Sequence, residues 1–125
     1  MLTKILVVDD DPDLLIIVRY CLQGIKQLSA RFASSGMEAI TIAQEFLPDL
    51  ILLDVMMPVM DGIQTLERIR QTSPIQNTPV ILFTAKVTKI EMTEYEGLKI
   101  LGVITKPFDP LTLYEQIEKI WSSSQ

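Results

Sequence analysis

Short, unbroken apolar runs alternate along this chain with longer stretches in which apolar residues return every three or four positions. The first pattern marks strands covered on both faces and the second marks amphipathic helices. Residues 3–8 (TKILVV) predict a buried strand ending in Asp9-Asp10-Asp11. Asp11-Pro12 then opens a helix, because an aspartate at the cap and a proline in the first turn both suit a helix start. Leu14, Leu15, Val18, Cys21, Leu22 and Ile25 form its apolar stripe, and Gly24 lies near its stop. Residues 30–33 predict a brief second strand. Ser35 and Glu38 stand at capping-box spacing before a second helix, which carries Ile40, Ala43, Phe46 and Leu47 and stops at Pro48.

The alternation continues to the end of the chain. Residues 50–53 (LILL) predict a third, fully covered strand. Asp61-Gly62 starts a helix bearing Ile63, Leu66 and Ile69, and residues 79–83 form a fourth strand ending at Thr84. Residues 88–98 predict the weakest helix, with Thr88 and Glu91 at capping-box spacing, and residues 103–105 a short fifth strand. Asp109-Pro110 predicts the cap of a last helix that runs to Trp121 with Leu113, Ile117 and Ile120 inward, followed by a frayed tail. Five strands alternating with five helices, without a linker, predict one α/β domain over residues 1–125: a doubly wound parallel sheet with helices on both faces.

Composition narrows the function. The chain has 125 residues, 48% hydrophobic and 22% charged, which suits one compact domain. A net charge of −5 and a pI near 4.6 argue against a nucleic-acid surface, which needs clustered Lys and Arg. No apolar run is long enough to span a bilayer, so neither a membrane nor direct nucleic-acid partner is expected. Cys21 is the single cysteine, predicted to be a plain core residue, and the expected compartment is the reducing cytoplasm. Histidine is absent. Chemistry must therefore rest on carboxylates, hydroxyls and lysines.

Those groups collect at the carboxyl ends of the predicted strands, where parallel α/β sheets bind their ligands. The first strand ends in Asp9, Asp10 and Asp11, the third in Asp54, the fourth in Thr84 and the fifth in Lys106-Pro107. Crowded carboxylates repel, so without a cation at least one should hold its proton more tightly than usual. A hard divalent ion such as Mg²⁺ removes that conflict. Asp54 is the candidate nucleophile, since a carboxylate can form an acyl phosphate, with Lys106 and the Thr84 hydroxyl placed to meet phosphoryl oxygens. Asp11, Asp61 and Asp109 each precede a helix and read as caps.

The segments ILVVDDDP, LILLDVMMPVMDG, ILFTA and ITKPFDP together resemble the four signature segments of the response-regulator receiver domain of two-component signalling. They keep that family's order, with 44 residues from Asp10 to Asp54, 30 more to Thr84 and 22 more to Lys106. The resemblance implies a flavodoxin-like sheet in the order 2-1-3-4-5 and a cis Lys106-Pro107 bond. It implies Asp54 as phosphoacceptor, Asp10, Asp9 and the Met56 carbonyl as the Mg²⁺ site together with Asp54, Thr84 as switch hydroxyl and Lys106 as phosphoryl-binding lysine. It further implies a sensor histidine kinase or phosphotransfer protein as donor, an unnamed output partner, and a homodimer face made by the fourth predicted helix, the fifth strand and the last helix. The protein would be a signalling switch that catalyses only its own phosphorylation and dephosphorylation, either alone or as part of a longer regulator.

One position departs from the family pattern: Val103 stands where the family often has an aromatic that rotates with the threonine. This leaves a phosphorylation-independent adaptor as the alternative function. Met56 and Lys86 occupy the positions that tune dephosphorylation in the family. Two other classes fit poorly. An aspartate-nucleophile phosphatase usually wants a second acid where Met56 stands, and a flavin or nucleotide binder needs a Gly- or Ser/Thr-rich loop where the three aspartates stand.

Overall fold

The computed structural model describes residues 1–85 and 96–125. Its strands are β1 (Lys4–Val8), β2 (Ser29–Ala33), β3 (Leu50–Asp54), β4 (Val80–Thr84) and β5 (Gly102–Thr105). All pair in parallel in the order β2-β1-β3-β4-β5, as expected. The described helices are α1 (Pro12–Gln23), α2 (Gly36–Phe46), α3 (Gly62–Arg70) and α4 (Leu113–Ser123). The helix predicted over 88–98, with its Thr88 and Glu91 cap, lies for the most part outside the described residues. Where its end is described, Glu96–Leu98 form a 3₁₀ turn. Among the described residues the helices therefore number four where five were expected.

Each strand side chain faces one of two layers, which is why the runs are unbroken. Ile5, Val7, Leu50 and Leu52 pack with Val18 and Leu22 of α1 and Leu113, Ile117 and Trp121 of α4. Leu6, Val8, Ile51 and Leu53 face the other way, onto Ala39 and Ala43 of α2 and Leu66 and Ile69 of α3. Every residue of β3 and β4 is buried. At roughly 1.5–3 kcal/mol for each fully buried large apolar side chain, this two-faced burial is the main term holding the sheet.

The caps correct several local expectations. Asp11 accepts from the N–H groups of Asp13 and Leu14, as a cap should. Asp61 and Gln64 form a full capping box, at 2.9 and 3.0 Å. At α2 the box is only half made: Ser35 accepts from Glu38 N–H, but the Glu38 carboxylate reaches Ser34 instead. Leu47 does not join the inner face of α2; it ends the helix at φ +51° and is half exposed. Asp109 does not cap the last helix. Its carboxylate accepts from Leu111 N–H at 3.0 Å, closing a turn, and α4 begins three residues later with Thr112 at the cap. That helix also runs two residues past Trp121 into the predicted tail. Cys21 is half-buried rather than fully enclosed.

Candidate functional site

The parallel sheet delivers β1, β3, β4 and β5 to one edge, and the predicted residues meet there. Asp9 directly follows β1 and is 1% exposed; Asp54 closes β3 at 3% exposed; Thr84 closes β4 and is fully buried. Thr84 pairs in register with Thr105, and the next residue, Lys106, returns its N–H to the Thr84 carbonyl at 2.8 Å. The end of β5 is thereby fixed beside β4. The Lys106-Pro107 bond is cis, as the resemblance implied.

Lys106 is the hub of the site. Its Nζ lies 2.6 Å from Asp9 Oδ2 and 3.4 Å from Asp54 Oδ1. It also sits 5.1 Å from the centroid of the Phe83 ring, which packs against Phe108 at 5.2 Å. Phe83 and Phe108 carried no marker of this role in the sequence, beyond lying in the segments that also hold Thr84 and Lys106. Burial opposes the charge on Lys106, but the hydrogen bond to Asp9 and the nearby Asp54 and Asp9 charges outweigh it and hold its pKa above the usual value.

Asp54 is poorly served by comparison. It accepts one backbone hydrogen bond, from Met56 N–H at 3.3 Å. Burial and the Asp9 charge push its pKa up to about 6, against the pull of Lys106 and Met56. The expected proton-holding carboxyl is therefore Asp54. Asp9 is tied down on both oxygens, by Lys106 and by Asp11 N–H at 2.9 Å.

Among the described residues, Asp9, Asp10 and Asp54 each place a carboxylate oxygen within 4.8 Å of the others. Asp10 faces solvent while the other two are buried. An all-oxygen donor set with one open side fits a hard divalent cation that keeps part of its water. Met56 follows β3 by two residues, its side chain 71% exposed. Gly62 shapes the loop between them. A Cβ there would come within 2.6 Å of the Asp54 carbonyl oxygen and 2.7 Å of Val55 Cα, so only glycine lets α3 start against the end of β3. Val103 lies on β5, half-buried against the α2–α3 layer. Lys86, the other tuning position, lies outside the described residues. No described helix is long and apolar enough to cross a membrane.

Comparison with known proteins gives a consistent result. A family model described as the response regulator receiver domain matches residues 5–118. Chemotaxis protein CheY-3 of Vibrio cholerae is 31% identical over 118 residues, covering 94% of this chain and 91% of that protein. The alkaline phosphatase synthesis transcriptional regulatory protein PhoP of Bacillus subtilis is 34% identical over 122 residues, covering 98% of this chain and 50% of that protein. The chain thus spans about half the length of the transcriptional regulators it matches. A solved structure of Vibrio cholerae CheY4 superposes with a TM-score of 0.87 at 30% identity, covering 96% of this chain and 99% of that one.

Proposed function

The chain belongs to the response-regulator receiver family, and we propose that it is a signalling switch that takes a phosphoryl group onto Asp54 from a sensor histidine kinase or phosphotransfer protein. The observation that carries this reading is the Lys106 ammonium held between Asp9 and Asp54, at 2.6 and 3.4 Å, beside a buried nucleophile candidate.

In the proposed reaction an Asp54 carboxylate oxygen attacks phosphorus in line with the P–N bond of a phosphohistidine. The O–P bond forms as the P–N bond breaks, and its electron pair stays on the imidazole nitrogen. Lys106 donates to a phosphoryl oxygen, the Thr84 hydroxyl to another, and the Met56 N–H keeps Asp54 oriented. Asp9, Asp10, Asp54 and the Met56 carbonyl would hold Mg²⁺, which when bound supplies the positive charge that the clustered carboxylates and the phosphoryl oxygens require. The phosphorylated chain then associates differently with an output partner or with itself. Self-association would use β5, α4 and residues 88–98, the span of the fourth helix predicted from the sequence. The protein catalyses only its own phosphorylation and dephosphorylation, and a cytoplasmic location goes with that donor.

Acetyl phosphate and Mg²⁺ should add one phosphoryl group by intact mass, mapped to Asp54, and chelator should prevent it. Label on Asp9 or on a serine would overturn the assignment.

A further inference from the structure

Val59 has the least ordinary backbone of the loop that follows Asp54. Its φ is +67°, in the left-handed region that β-branched residues rarely adopt. Across it, Met60 N–H donates to the Pro58 carbonyl at 2.7 Å. A bond from residue i+2 back to residue i around a positive φ is the strained form of the γ-turn. The side chain contributes no packing in return, since Val59 is wholly exposed, at 101% of the reference area. A valine that costs stability in its backbone and buries nothing points to a contact outside the folded chain.

The position of the turn says which contact. Asp54 is only 3% exposed, so a phosphohistidine that reaches it brings the surface of its own protein down onto the rim of the crevice. In the loop that leads from Asp54 to α3, the large exposed apolar side chains are Met56 and Val59. Val59 also borders a groove of about 370 Å³ in which Met37 and Met60 are joined by the polar side chains of Gln64, Glu67, Arg68 and Gln71. We infer that Val59 is a docking residue for the protein phosphodonor, packing against an apolar side chain that flanks the donor's phosphohistidine. The inference rests on the reading of Asp54 as phosphoacceptor. A small phosphodonor enters the crevice without covering the rim, and this separates the two.

The test compares Val59→Asn and Val59→Gly, which accept the left-handed turn without an apolar side chain, with Val59→Ile, which keeps the side chain. Each is labelled with acetyl phosphate and Mg²⁺. Each is also labelled with a phosphorylated histidine phosphotransfer protein, chosen because it labels the wild type. Acetyl phosphate should label all four proteins within about twofold. Transfer from the protein donor should fall on the order of tenfold in Val59→Asn and Val59→Gly, the loss typical of removing a good interface contact, and hold in Val59→Ile. Both weakened variants should melt at or above the wild-type temperature, because the turn is relieved. Undiminished protein transfer overturns the inference, as do clearly lowered melting temperatures, which would make Val59 a packing residue. It falls too if no phosphohistidine protein labels a wild type that acetyl phosphate does label. Failure of acetyl phosphate to label wild-type Asp54 overturns the underlying reading instead, and the inference with it.

Discussion

Asp49 and Asp54 flank the same strand, one just before β3 and one at its end, and their surroundings drive them in opposite directions. Asp49 Oδ2 accepts from Thr3 N–H at 3.1 Å, the Thr3 hydroxyl at 2.8 Å and Lys4 N–H at 3.0 Å. Burial alone would raise its pKa, but those donors and the Lys4 charge prevail and lower it. Asp54 has a single backbone donor, a like-charged neighbour in Asp9 and deeper burial, and its pKa rises to about 6. The comparison separates two uses of one residue type. A carboxylate that collects donors braces the chain; one left short of donors beside another acid stores unfavourable charge that a cation and a phosphoryl group can relieve.

The largest effect that tests this contrast is chemical. Asp54→Asn should abolish labelling by acetyl phosphate and Mg²⁺, while Asp49→Asn should label at the wild-type rate. Intact mass after a timed incubation reads both. Equal impairment of the two variants would mean that the ends of β3 are not functionally distinct.

Next comes stability without metal. The Asp54 pKa of about 6 lies above its ordinary 3.8, so the folded state binds this proton more tightly than the unfolded chain. Its contribution is complete below the unfolded value and is lost as pH rises through about 6. Two units correspond to roughly 3 kcal/mol, and the asparagine variant forfeits part of the Lys106 attraction. Asp54→Asn should therefore raise apo stability near neutral pH by about 1–3 kcal/mol. The wild type should lose stability between about pH 4 and pH 7 more steeply than the variant does. Urea melts in chelator decide it: a less stable Asp54→Asn at neutral pH would show that the site carries no net repulsion.

Much of this architecture was legible in the chain because the signals were local. LILL could only be a strand covered on both faces, and Asp9, Asp54, Thr84 and Lys106 each fell at the end of such a run. Other features depend on partners far away in sequence. Asp49 finds its donors at Thr3 and Lys4, more than forty positions earlier. The Arg70 guanidinium donates to the carbonyls of Leu98, Gln76, Thr78 and Lys99, tying the end of α3 to the approaches of β4 and β5. No periodicity announces such a clamp. Asp109-Pro110 misled for a different reason: an aspartate before a proline suits both a helix cap and an Asx turn, and packing chose the turn. Gln64 was readable, since Asp61-x-x-Gln64 has capping-box spacing.

The smallest predicted effect lies at the opposite end of β3. Asp49→Asn keeps the shape and one acceptor oxygen but removes the charge from three hydrogen bonds that tie it to Thr3 and Lys4 at the start of β1. Hydrogen bonds to a charged group are worth about 1.5–3 kcal/mol when buried. Asp49 is only partly covered, so solvent screening reduces the expected loss to about 1 kcal/mol. The sign with pH is the reverse of that at Asp54. Because the folded pKa is lowered, the stabilisation exists above the ordinary carboxyl value and disappears as pH falls through the folded one. A double-mutant cycle isolates the hydroxyl: Thr3→Val removes the 2.8 Å bond and leaves both backbone donors in place. Coupling between Thr3→Val and Asp49→Asn should be about 0.5 kcal/mol, near the lower bound for residues in contact. It should be measurable at neutral pH and vanish in acid, where the carboxyl of the Asp49 parent is protonated. A coupling that persists unchanged at low pH would show that shape rather than charge holds this corner, and the opposition between the two aspartates would then rest on Asp54 alone.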